Sequence, residues 1–268
     1  MGRVICVCNQ KGGVGKTTTS VNLASCIALS EKRTLLIDID PQSNATSGLG
    51  IRLAPGEPSV YGFLLGYEHR ENIVKSTELS YLELIPSTQD LTGAEVELVR
   101  MEDRDKMLRK ALEQIRIDYD YIFIDCPPSL GFLTLNGLVA ADSVLVPIQC
   151  EYFALEGVGS LLQTIRRVQS FLNKSLSIEG FLLTMFDARN NLSHQVAQDV
   201  KKNLGNQVFK TIIPRNVKLS ESPSFGKPVV LYDVTSRGAL SYLALAKEIM
   251  DGQADGNNQA AHGIGAGA

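Results

Sequence analysis

Residues 10–18 read Gln-Lys-Gly-Gly-Val-Gly-Lys-Thr-Thr, and they lie between an apolar run, residues 4–8, and a stretch of helical spacing, residues 17–29. No other feature constrains the fold as strongly. Gly12, Gly13 and Gly15 let the backbone curl, so that its N–H groups point inward at the positive end of a helix. Lys16 adds a point charge suited to the β- and γ-phosphates of a nucleotide, and the Thr17 hydroxyl can ligate Mg2+. The loop departs from the usual spacing G-x-x-x-x-G-K-[ST]: Gln10 stands where the first glycine is expected, and Lys11 follows it. Two lysines therefore flank the glycines. One is enough for the chain's own nucleotide. The other is either a surface charge or a group that reaches a phosphate on a neighbouring subunit, and spacing does not choose between them.

The rest of the chain repeats the strand–helix alternation. Apolar runs at 33–37, 81–85, 121–124, 143–148, 178–185 and 208–213 predict strands, and helical spacing covers 130–141, 155–172, 193–204 and 236–250, with Ser236 as an N-cap. Residues 90–114 predict one or two helices, and the Pro/Gly/Ser/Asn-rich residues 39–58 predict a loop. Strands without polar alternation, each followed by a helix, predict an α/β fold: a mostly parallel twisted sheet flanked by helices on both faces, of the P-loop NTPase type. One domain is expected over residues 1–250. Residues 251–268 have no apolar period and are expected to form a disordered tail.

Such sheets collect ligands at the carboxyl ends of their strands. Asp125 ends the run Tyr121-Ile122-Phe123-Ile124, where a P-loop protein holds the acid that serves Mg2+. Asp38 and Asp40 flank Ile39 at the end of the second strand and face the same crevice. One of them is placed to orient or deprotonate an attacking water.

The chain of 268 residues carries a net charge of −3, yet residues 185–250 hold nine Lys or Arg against five Asp or Glu. That basic third is a candidate anionic-polymer surface. Five cysteines without framework spacing argue against a disulfide scaffold and fit a reducing cytoplasm. No apolar run reaches the roughly 20 residues that span a bilayer. His69, His194 and His262 are isolated and read as surface residues.

The stretch Lys11-Gly12-Gly13-Val14-Gly15-Lys16-Thr17-Thr18 resembles the deviant Walker A loop of the ParA/MinD class of P-loop ATPases. Residues 38–46 (Asp-Ile-Asp-Pro-Gln-Ser-Asn-Ala-Thr) and 125–131 (Asp-Cys-Pro-Pro-Ser-Leu-Gly) resemble that class's second motif and its Walker B segment. Residues 183–187, 213–217 and 220–228 are similar to the chromosomal ParA, or Soj, branch. The resemblance implies an ATPase that uses ATP and Mg2+ and forms an ATP-dependent sandwich homodimer. It implies that Lys11 reaches the partner's nucleotide, that Lys16 serves the phosphates, and that Thr17, Asp38 and Asp125 lie at the metal. Asp40 matches the water-activating residue, and Pro214, Arg215 and Asn216 match a segment near the adenine. The dimer is expected to bind double-stranded DNA without sequence preference, with Arg189, Lys218 and Arg237 in matching segments. A ParB-like partner is expected to stimulate hydrolysis, in the cytoplasm and on the nucleoid, with no membrane involved. No helix-turn-helix segment precedes the first strand of this sequence, so operator-specific binding is not expected. Ser43 stands where relatives often have Gly, which is expected to stiffen its loop. The competing expectation is a membrane-cycling MinD-like regulator. It wants an amphipathic C-terminal helix that the composition after residue 250 does not suggest. A nitrogenase-iron-protein reading wants a cluster-bridging pair of exposed cysteines.

Overall fold

The computed structural model describes residues 1–152 and 154–262. Seven strands form one sheet: β1 (Arg3–Val7), β2 (Thr34–Asp38), β3 (Lys75–Ser76), β4 (Leu82–Ile85), β5 (Tyr121–Asp125), β6 (Ser143–Gln149) and β7 (Ser177–Thr184). Their order is β3-β4-β2-β5-β1-β6-β7, and every pair is parallel except β3–β4. The central strands β1, β2 and β5 are apolar along almost their whole length because both of their faces are covered.

The helices are α1 (Lys16–Leu29), α2 (Asn44–Gly48), α3 (Val60–Leu65), α4 (Arg70–Ile73), α5 (Leu91–Leu98) and α6 (Met107–Glu113), then α7 (Phe132–Ala140), α8 (Ala154–Phe171), α9 (Asn191–Leu204), α10 (Val217–Glu221), α11 (Val229–Tyr232) and α12 (Arg237–His262). Two separate cores result. On one face α1, α11 and α12 cover Ile5, Val7, Leu36 and Phe123. On the other, α3 and α5–α9 cover Val4, Cys6, Ile37 and Ile124. Alternate residues of each strand thus serve opposite cores.

Register decides where the acids fall. Asp38 pairs with Asp125 across β2 and β5, and Val7, the last residue of β1, pairs with Asp125 on the other side. The first strand therefore delivers the glycine loop directly above two neighbouring carboxylates.

Four local expectations are revised. Residues 39–58 hold a short helix, α2, rather than loop throughout. Residues 208–213 do not form a strand. Phe209 and Ile213 donate their N–H groups to the Phe181 and Leu183 carbonyls, 3.0 and 2.9 Å away, and two isolated bridges form, Val208 to Phe181 in β7 and Pro214 to Phe186 just beyond it. The Phe209 ring fills the space where a Cβ on Gly180 would sit, 2.5 Å from it, and Pro214 has no N–H to continue a ladder. β3, α3 and α4 were not expected; each is six residues or shorter. Finally, α12 continues to His262, where a disordered tail was expected from Asp251. Extending an existing helix needs no new nucleus, so weak propensity there is no barrier. Residues 263–268 of that tail lie outside the described residues. Ser236 does cap α12: its Oγ accepts the Ala239 N–H at 3.2 Å.

Candidate functional site

The glycine loop is shaped by backbone conformations that L side chains avoid. Gly13 and Gly15 have φ of 72° and 88°, and Gly15 is the residue from which α1 starts. Thr184, at the end of β7, donates its hydroxyl to the Val14 carbonyl at 2.8 Å, tying the loop to the sheet. Lys16 is only 6% exposed. Its ammonium lies along the inside of the loop and donates to the Lys11 carbonyl at 3.2 Å. Burial lowers its pKa, and the charges of Asp125 and Asp40 oppose that shift.

Lys11 behaves differently. Its backbone N–H is held by Asn9 Oδ1 at 3.1 Å, while its side chain, 37% exposed, points out to Glu151, with Nζ 3.8 Å from Oε2. Arg215 approaches the other oxygen of Glu151 at 3.9 Å. The two lysines of the loop thus face in different directions.

Beneath the loop, Ser20 Oγ donates to Asp125 Oδ1 at 2.7 Å, whereas the buried Asp125 Oδ2 has no protein partner. Burial first, and then the charge of Asp38, push the Asp125 carboxyl up to about 8, against hydrogen bonds from Ser20 and Thr17. Burial raises Asp38 to about 6. A buried acid with one orphaned oxygen beside a threonine hydroxyl suits a hard divalent cation, which would restore the ionised form. Among the described residues no group of three or more His, Cys, Asp or Glu is placed to hold a metal. A cation at Thr17 and Asp125 must therefore take its other ligands from water and phosphate oxygens, which is the habit of Mg2+.

Asp38 is committed elsewhere. Its Oδ1 accepts the Asp40 N–H at 3.1 Å, and its Oδ2 accepts the Thr46 N–H and hydroxyl at 2.9 and 2.7 Å. It anchors the loop from Asp40 to α2 and sits beside Asp125 without offering a free oxygen. Asp40 is buried, and its Oδ1 accepts the Gln42 N–H at 2.9 Å. Ser43, in the same loop, has φ of 49°.

A cavity of about 370 Å³ opens beside the loop. Gly15 and Thr18 line one side, and Met185, Pro214, Arg215 and Asn216 line another. The two segments that the resemblance assigned to one nucleotide therefore meet. A larger cavity, about 680 Å³, lies at the opposite end of the sheet, around Arg3, Glu179, Lys210 and Lys247, and shares no residue with the loop.

The basic candidates sit on the rim. Arg189 is held by Asp187 at 3.1 Å with its side chain 90% exposed. Lys218 pairs with Glu221 at 2.9 Å and lies over the Tyr232 ring. Arg237 opens α12. The turns carrying them are contiguous: the Arg215 N–H is bonded to the Phe186 carbonyl, and Gly238 abuts Leu219.

Comparison with known proteins agrees with this geometry. A family model described as an AAA domain matches residues 2–178. The sporulation initiation inhibitor protein Soj of Bacillus subtilis is 58% identical over 249 residues, covering 93% of this chain and 98% of that protein. The chromosome partitioning protein ParA of Myxococcus xanthus is 57% identical over 250 residues, covering 93% and 88%. The chain belongs to the ParA/Soj family of partitioning ATPases. A crystal structure described as cobyrinic acid a,c-diamide synthase from Mycobacterium smegmatis, with bound ADP and magnesium, superposes with a TM-score of 0.84 at 38% identity, covering 96% of this chain and 97% of that one.

In this ParA/Soj-family site, sequence reading missed Ser20, Thr46 and Glu151. Ser20 carried only a weak signal, since it is a buried polar residue on a helix where Thr19 and Ser25 are buried and polar too. Glu151 follows the end of β6, and its place at the carboxyl edge of the sheet was the only hint of a role.

Proposed function

We propose that this chain is a ParA-type partitioning ATPase whose ATP-bound form is a sandwich dimer. The dimer holds DNA without sequence preference, and a ParB-like partner releases it by stimulating hydrolysis. The observation that carries this reading is the divergence of the two loop lysines. Lys16 turns inward onto its own loop, while Lys11 is turned out of it, toward Glu151. A lysine presented outward beside glycines with free space around Gly13 suits a phosphate brought by a second copy.

ATP would supply the phosphoryl group lost to water, and a bound Mg2+ would supply positive charge against the phosphates. Within the chain, the N–H groups of residues 12–18 and the Lys16 ammonium hold the phosphates against charge repulsion. Thr17 and the free oxygen of Asp125 would hold the metal, with Asp38 fixing the loop beside it. Asp40 orients the attacking water and takes its proton. Pro214, Arg215 and Asn216 enclose the base. Arg189, Lys218 and Arg237 contact DNA phosphates, which accounts for nucleoid association. Among the described residues no helix is long and apolar enough to cross a membrane.

Light scattering tests the central point. Lys11→Ala should bind ATP with affinity near wild type and stay monomeric, whereas wild type dimerises with ATP. An ATP-dependent dimer in Lys11→Ala would refute the role across the interface.

A further inference from the structure

Residues 214–229 form one wall of the nucleotide cavity through Pro214, Asn216, Leu219 and Pro223. The same stretch carries Lys218. Two other elements grip it. Asn22, buried in α1, donates its amide to the Thr18 carbonyl at 2.7 Å and accepts the Val229 N–H at 2.7 Å. The helix that begins at Lys16 therefore fixes the start of α11. The second grip comes from the turn that follows α2. Gly50 and Gly226 touch backbone to backbone: a Cβ on Gly226 would lie 2.6 Å from Gly50 Cα, and one on Gly50 would lie 2.9 Å from the Gly226 carbonyl oxygen. Both glycines have left-handed φ, 76° and 64°. No L side chain fits either position without strain and a clash. α2 in turn hangs from Asp38 through Thr46.

The far side of the segment is held too. A Cβ on Gly238 would lie 2.7 Å from Leu219 Cγ. Lys218 and Arg237 thus flank one tight contact. Nothing in the phosphate chemistry requires these grips. A buried amide that uses both its donor and its acceptor on two different segments is a positional constraint, because either group left alone there is costly.

We infer that Asn22 and the Gly50–Gly226 contact are positioning elements that couple the seat of residues 217–229 to the filling of the nucleotide site. Phosphates fix the first turn of α1, and with it Asn22. The Asp38–Asp40 loop fixes α2, and with it Gly50. Only when both are set is the segment held from two sides, with Lys218 and Arg237 at one fixed spacing for a polyanion. The DNA consequence rests on the proposed role of these two residues.

Hydrogen exchange on the whole protein tests the coupling. Adding ATP and Mg2+ should slow the amides of residues 217–229 on the order of tenfold, together with those of 43–50. Asn22→Ala should keep ATP binding and the slowing at 43–50, lose the slowing at 217–229, and weaken DNA binding on the order of tenfold. If nucleotide leaves 217–229 unchanged in the wild type, the coupling is overturned without any variant. It is equally overturned if Asn22→Ala slows 217–229 as wild type does. Lys218→Glu separates the two layers: wild-type DNA affinity in that variant removes the DNA face while the exchange coupling stands.

Discussion

The floor of the nucleotide site and its rim are built by opposite rules. On the floor, Asp38, Asp125 and Lys16 are buried ionisable groups, and each is fixed by strand register or by a hydrogen bond. On the rim, Arg189 is exposed and Lys218 half-buried, and each is paired with an acid two or three residues away. A buried charge has no solvent to replace a lost partner, so the floor tolerates little change. An exposed ion pair is worth about 0–1 kcal/mol and is easily exchanged for another anion. The local pairs on the rim therefore hold cations ready without committing them.

The largest test of this contrast is on the floor. Asp40→Ala should lower ATP turnover about 10²- to 10⁴-fold while nucleotide binding persists, giving a long-lived ATP dimer on DNA. Phosphate release and filter binding measure the two effects, and rapid loss of DNA from that variant would move the base elsewhere. A smaller effect is expected on the rim. Arg189→Glu with Lys218→Glu should leave turnover without DNA near wild type and weaken DNA retention. The salt slope should fall by about 2, since each DNA phosphate that a cation no longer neutralises lowers it by roughly one unit. An unchanged slope would take both residues off the DNA surface.

The smallest effect concerns Ser43, between floor and rim. Its left-handed backbone costs an L residue about 1–2 kcal/mol, part of which is offset by the entropy that glycine adds to the unfolded chain. Ser43→Gly should stabilise the protein by about 1 kcal/mol at most, raising Tm by about 2–4 °C. A lower Tm in calorimetry would mean that the serine makes an interaction outweighing its strain.

Most of the floor was legible in the sequence, and the reason is physical. A strand buried on both faces must be apolar to its end, so Asp38 and Asp125 stand out where their strands meet the ligand. The glycine loop is equally plain, because positive φ at Gly13 and Gly15 leaves little chemical choice. The rim was only partly legible. Residues 208–213 have the composition of a strand, but the Phe209 ring lying over Gly180 breaks the ladder, and only tertiary packing could show that. Glu151 is one acid on one turn, and nothing local marks its position between Lys11 and Arg215. The Gly50–Gly226 contact joins residues far apart in the chain, so neither glycine reads as more than a turn.

All five cysteines, Cys6, Cys8, Cys26, Cys126 and Cys150, are buried, and burial pushes Cys26 and Cys150 up to about 12 and about 11. That closes off cluster bridging through exposed thiols. It also leaves the protein's outside without a reactive thiol among the described residues. A single cysteine introduced at an exposed rim position such as Val217 would then be the one readily reached by a maleimide dye. Fluorescence could follow the rim through the nucleotide cycle with every native cysteine in place.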